Sequence, residues 1–327
     1  MDIAEQGPSL KPTPDYGSLG PDADLRTNRP ITPQGGSRKW IALAAGAFIG
    51  MQLMLHQRGL LEIVQSLFQR AQNAPRSSAI RTNRKTSPRV INQALQSQAE
   101  SMLQRAVSHS EGAKEEIAAR VDTWRGNITL TPQLNSLITA ALNSDDFEVR
   151  AEGIEVDLAA MGLAKTPESA EQLILQASTG PTSQRIWALW TMGLLGNRGV
   201  EAERIGQVLT QALADNDPEL RQWAIEGMSY LGTDASIDPL MKAFHDDPSA
   251  IVRERAACSL AQSGMLTKLQ RQTIVPRLLV YAGDSSLDAS THGWAFQALR
   301  DITGQALPND PAAWQRWYNA SSDKGFR

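Results

Sequence analysis

One phrase recurs along the second half of the chain, and it leaves few folds open. Its fullest form is Asp217-Pro218-Glu219-Leu220-Arg221, followed by an apolar stretch through Trp223, Ala224 and Ile225 that ends at Leu231-Gly232. The same register returns as Asp146-Phe147-Glu148-Val149-Arg150 ending at Gly162, and as Arg185-Ile186-Trp187-Ala188-Leu189 ending at Gly196. It returns again as Val252-Arg253 with Ala256-Ala257 ending at Gly264, and from Asp288 through His292, Trp294, Ala295 and Phe296 to Gly304. The terminal glycines lie 34, 36, 32 and 40 residues apart, the period of a two-helix repeat.

Each copy reads as a hairpin that cannot fold alone. Upstream of the arginine lies a first amphipathic helix, for example Leu134, Leu137, Ile138, Ala141 and Leu142 on one face. At the turn, Asp217 accepts hydrogen bonds from the free amides of the next helix, and Pro218 occupies its first position without losing one. The second helix buries residues such as Ala224, Ile225 and Met228 and stops at a glycine that takes the left-handed conformation. A hairpin with one apolar stripe needs a neighbour to cover it, so the expectation is an all-α solenoid of five stacked hairpins over 127–304.

These residues at this spacing resemble the HEAT-repeat family, from about Leu130 to Gly304. The family pattern, an acidic turn, then Val-Arg or its like, then a small-residue helix, is met fully at Arg150 and Arg221. The second unit has Pro181 at the aspartate position, the fourth places two extra residues between Asp247-Pro248 and Arg253, and the fifth has His292 at the arginine position. Bacterial proteins of this family are similar in the stretch Ala257 to Gly264 and in the ending Arg300 to Gly304. The resemblance implies a stacked scaffold and leaves the task open.

The chain before the repeats differs in kind. Residues 1–39 hold six prolines and no hydrophobic periodicity, the composition of a disordered tail. Residues 40–55, WIALAAGAFIGMQLML, carry no charge, and with flanking Arg38, Lys39, His56 and Arg58 the stretch 40–61 is expected as a membrane anchor. Ala42, Gly46 and Gly50 add a small-residue face of the kind that lets membrane helices pack closely. A cleaved signal peptide and a buried or interfacial helix are the other two readings. The tail before the run and the lack of a small-residue cleavage site count against the signal peptide. Residues 62–89 read as a basic flexible linker. Residues 69–99 have six basic residues and no acidic one, so 70–89 can lie on anionic lipid. That leans toward a cytoplasmic side for the repeats, with the side undecided.

Two further elements read as caps. Ile91, Leu95, Met102 and Ala106, then Ile117, Val121 and Trp124, mark an N-terminal helical pair over 90–126. At the other end, Asp310-Pro311 opens a helix within 305–327 whose Trp314, Trp317 and Tyr318 can cover the last hairpin. With a net charge of −3 and no aromatic residue in the basic linker, nucleic acid is not an expected partner. The four histidines, His56, His109, His245 and His292, share no metal-ligand spacing, and Cys258 is alone, so no catalytic, metal or cofactor residues are assigned. Asp146, Arg150, Arg185, Asp217, Arg221, Arg253, Asp288 and His292 recur at one register and are read as structure that orders turns and bridges units.

What recurrence of the fold does not demand is an aromatic column. Two positions after the arginine stand Glu152, Trp187, Trp223, Arg255 and Trp294, and about one turn further Trp190, Glu226 and Tyr230. In the HEAT family the second helices line the concave surface, so the resemblance implies a groove with aromatic anchors and charged flanks, suited to a protein or peptide partner. The alternative is that the rings pack between hairpins. The functional expectation is a non-catalytic, membrane-tethered scaffold or adaptor. A phycobilin-lyase-like enzyme or chaperone, and a soluble HEAT-repeat assembly factor, are the alternatives.

Overall fold

The computed structural model describes residues 88–322, and among them every regular element is helical. The expected tail at 1–39, the anchor at 40–61 and nearly all of the linker at 62–89 lie outside the described residues. Among the described residues no helix is long and apolar enough to cross a membrane.

Six hairpins follow one another. The first pairs α1 (Pro88–Val107) with α2 (Ala113–Trp124), and the second pairs α3 (Pro132–Leu142) with α4 (Phe147–Ala160). Next come α5 (Pro167–Thr179) with α6 (Thr182–Asn197), α7 (Ala202–Ala212) with α8 (Pro218–Leu231), and α9 (Ile237–Asp246) with α10 (Ala250–Ala261). The last has a first helix in two pieces, α11 (Lys268–Thr273) and α12 (Val275–Gly283), packed on α13 (Ala289–Thr303). The extra piece accounts for the 40-residue interval between Gly264 and Gly304. The helix α14 (Pro311–Ser322) packs on α12 and buries Trp314, whose indole donates to the Pro308 carbonyl at 2.9 Å.

Local chemistry explains the boundaries. Asp146 and Asp217 are N-caps, each accepting from the amide two residues on, and Asp288 accepts from Thr291. Thr131, Thr166 and Thr267 cap α3, α5 and α11, the last with Gln270 in a reciprocal capping box. In the N-terminal pair Met102, Ala106, Ile117, Val121 and Trp124 are buried, whereas Ile91 lies outside the packed face and is exposed.

Glycine sets one join between hairpins. Gly193 of α6 and Gly227 of α8 face each other so closely that a β-carbon on Gly193 would meet the Gly227 Cα at 2.7 Å. No side chain separates these second helices, while their partners α5 and α7 touch only lightly. Between hairpins three and four the second helices therefore meet backbone to backbone, while the first helices stand further apart. On the splayed side a cleft of about 420 Å³ opens, floored by Ala177, Leu189, Val208 and Ala212 beside the Arg185–Asp215 ion pair.

Candidate functional site

The recurring arginines form a ladder between units. Arg221 donates through Nε and Nη2 to the two carboxylate oxygens of Asp247, at 2.8 and 2.9 Å, and through Nη1 to the Asp215 carbonyl of its own turn at 2.9 Å. Arg185 pairs with Asp215, and Arg253 pairs with Asp288 while donating to the Asp247 carbonyl at 2.7 Å. Each guanidinium thus closes its own turn and reaches the acid of the next unit. Neither Asp146 nor Asp217 is the ion-pair partner of the arginine that follows it: each caps its helix, and the other Asp146 oxygen pairs with Lys114 of the preceding hairpin at 3.7 Å. The ladder acids Asp215 and Asp247 stand six residues before Arg221 and Arg253, so the two extra residues in the fourth unit put Asp247 where Arg221 can grip it. His292 takes the arginine role of closing its own turn through the Asp284 carbonyl, at 2.6 Å.

The first step of the ladder is different. Six residues before Arg185 stands Thr179, whose hydroxyl donates to the Leu175 carbonyl at 2.9 Å, so Arg150 has no acid to meet there. Arg150 donates to the Ser144 carbonyl of its own turn and then crosses to the Gln262 and Gly264 carbonyls, more than a hundred residues away. Arg271 holds the same segment from the other side, donating to the Ser259, Ser263 and Leu266 carbonyls at 3.1, 2.8 and 2.9 Å. Burial holds both guanidiniums below their usual pKa, Arg271 down to about 10. Two cations at the carboxyl end of α10 complement its partial negative charge.

Around Tyr230 four second helices meet electrostatically. Its ring packs edge-on against Trp190 of α6 with centroids 6.4 Å apart. Burial first, and then the Glu226 carboxylate, raise the phenol's pKa, while Arg150 of α4 and Arg255 of α10 oppose the shift. Glu226 and Arg255 form an ion pair at 3.0 Å with both side chains largely covered. Asp157 of α4 acts on the same phenol. That carboxyl is 1% exposed, its Oδ2 has no hydrogen-bond partner, and burial pushes its pKa up to about 8.

The expected partner-binding residues are half-buried throughout: Glu152, Trp187, Trp190, Trp223, Glu226, Tyr230, Arg255 and Trp294 are neither sealed in the core nor fully exposed. Trp190, Glu226, Tyr230 and Arg255 are brought together in the cluster just described. Trp187, Trp223 and Trp294 each pack one side against the core. Glu152 and Trp187 keep a buried polar atom without a partner, Oε2 and Nε1. For Glu152, burial first and then neighbouring Glu155 push the pKa up to about 7. Cys258 is half-buried beside this face, and burial raises its thiol pKa. Among the described residues no cluster of histidine, cysteine and carboxylates is arranged to hold a metal.

Residues 170–261 match the family model described as HEAT repeats. Within those bounds the hairpins match HEAT repeats. An engineered protein of known crystal structure is similar at 17% identity, over 67% of this chain and 93% of its own, with a TM-score of 0.32. No curated protein matches the chain. The matched HEAT repeats run from α5 to α10 and so include the Gly193–Gly227 contact and the Arg185 and Arg221 steps of the ladder.

Asp157 went unnoticed among the candidate residues, yet it carried a sequence signal. Seven positions after the ladder residue the HEAT units have Asp157, Met192, Met228, Leu260 and Leu299. All five are buried, so one unit places a carboxyl where the other four place a large apolar side chain.

Proposed function

We propose that this protein is a non-catalytic scaffold that holds a protein partner on the second-helix face of its HEAT array, tethered to a membrane through residues 40–61. HEAT repeats serve protein interaction as a class, because stacked hairpins present an extended curved surface built from equivalent helix faces. The observation that carries the reading is the state of the aromatic column. Trp187, Trp223 and Trp294 anchor one side in the core and leave the other accessible, the half-buried presentation that suits hot-spot residues. Apolar residues 40–55 and the basic linker support the tether, and anionic lipid beneath residues 70–89 would reinforce it.

The test is pull-down from native membranes with the intact chain and with Trp187→Ala, Trp223→Ala and Trp294→Ala combined. Loss of two or more aromatic anchors at about 2 kcal/mol each weakens binding by at least a hundredfold, so the partner should vanish from the variant's eluate. An identical partner list from both proteins overturns the groove. The tether is checked separately by carbonate washing, where recovery in the membrane pellet is expected and recovery in the supernatant removes it. A coloured preparation or bilin-transfer activity would instead favour the lyase-like reading.

A further inference from the structure

In a stacked repeat array each unit touches its neighbours, so a bond between the first and fourth HEAT units calls for a separate cause. That bond is Arg150 to the Gln262 and Gly264 carbonyls, and its cause is the missing ladder acid at Thr179. Of the four ladder arginines, Arg150 is the one with no carboxylate partner among the described residues. It is nevertheless 7% exposed, its donors directed to neutral carbonyls at the end of α10. Tyr230, packed edge-on against Trp190, lies within electrostatic reach of Arg150.

Asp157 acts in the opposite sense. It stands seven residues after Arg150, two turns along the same helix side, and is buried with an oxygen that no group satisfies. Opening would hydrate it, whereas the closed state bears its full desolvation cost. We infer that Arg150 is a latch that holds the second-helix face closed by capping α10, and that Asp157 strains the same closure so the array is poised to open.

The two residues have unequal grips. Breaking the Arg221–Asp247 pair would leave a buried charge uncompensated. Releasing Arg150 from α10 costs less, because water can replace neutral carbonyl contacts and the bond to the Ser144 carbonyl stays with its own turn. The array therefore opens between unit one and unit four before its ladder parts. The face uncovered is the one offered to a partner above, so the gating role rests on that reading; the latch itself does not.

The experiment compares the full chain with Arg150→Gln and Arg221→Gln, without any partner, by hydrogen–deuterium exchange and small-angle X-ray scattering. In Arg150→Gln, amides of 228–231 and 262–266 are expected to exchange at least tenfold faster and the radius of gyration to rise, with α5 and α6 still protected. In Arg221→Gln the loosening should centre on 215–221 and 247. Unchanged exchange at 262–266, or fraying confined to α4, overturns the latch. Should Arg150→Gln fail to fold, Asp157→Asn gives the opposite readout: exchange at 228–231 slows several-fold if the strain is real, and unchanged exchange overturns it. A latch that opens as expected, with a partner list unaltered by the tryptophan variants, would leave the latch standing and remove the groove.

Discussion

Replacing Gly193 with alanine is expected to destabilise the array by about 3 kcal/mol, lowering the thermal midpoint by about 10 °C. Alanine normally strengthens a helix interior by up to about 1 kcal/mol relative to glycine, so the sign has to come from packing. Here the new β-carbon would lie 2.7 Å from the Gly227 Cα and closer still to its carbonyl, and backbone cannot swing away as a flexible side chain can. α6 and α8 would have to separate, disturbing the closest backbone approach between hairpins three and four. Gly293→Ala is the matched control, since that helical glycine has nothing within 4 Å of the β-carbon position. It should stabilise by about 0.5–1 kcal/mol. Differential scanning calorimetry on the two variants checks both signs, and equal shifts would remove the close-packing account of the α6–α8 contact.

The second large effect concerns Asp157 and depends on pH. The unfolded chain releases this carboxyl proton near pH 4, while the folded chain holds it to about pH 8, so folding takes up a proton across that interval. Stability therefore falls as pH rises through it, by up to about 1.4 kcal/mol per pH unit from this group. Asp157→Asn preserves the volume and removes the titration. It is expected to stabilise by about 2 kcal/mol or more at pH 8, with little gain at pH 4.5. Asp157→Met restores the residue that stands at this register in two other units and should do the same. Urea midpoints measured at pH 4.5, 6 and 8 decide it: a gain that does not grow with pH would mean the carboxyl is ionised and compensated in the folded protein.

A pH response of the other sign sits at the far end of the array. The His245 ring nitrogens meet Asp246 at 2.5 Å and Asp284 at 2.9 Å, and the ring lies tilted against Tyr281 with centroids 4.6 Å apart. Burial opposes its charge, but the two carboxylates outweigh burial and raise the imidazole's pKa. This clamp strengthens the join between α9 and the turn before α13 in acid and loses its charge as pH rises through the raised value.

Much of the architecture was legible because each unit repeats its own punctuation. Aspartate or threonine starts a helix, a left-handed glycine follows most second helices, and the apolar spacing between them reads as helix without any knowledge of neighbours; the expected stop at Gly196 is corrected, because that helix runs on to Asn197 and the left-handed glycine is Gly199. The partners of the ladder were less legible. Asp217 looks like the mate of Arg221 in the sequence, yet the acid that meets Arg221 is Asp247, placed by stacking rather than by spacing within the turn. Asp157 lay in plain view as the odd member of a core register, but its meaning needed the burial that only packing supplies. The column from Trp187 to Trp294 could be aligned by number, whereas its half-buried state depends on how far each hairpin rotates against the next.

The sequence by itself determined that this chain builds two-helix units and that they stack, because capping, left-handed glycine and apolar period act within a few residues. Only the tertiary structure decided how closely neighbouring units approach and which distant units bond. The approach depends on two glycines that are 34 residues apart and meet backbone to backbone, and the distant bond on an arginine that finds no acid in the adjacent unit and takes carbonyls in the fourth. Both are contacts between units, and their energies depend on distances that no local pattern encodes.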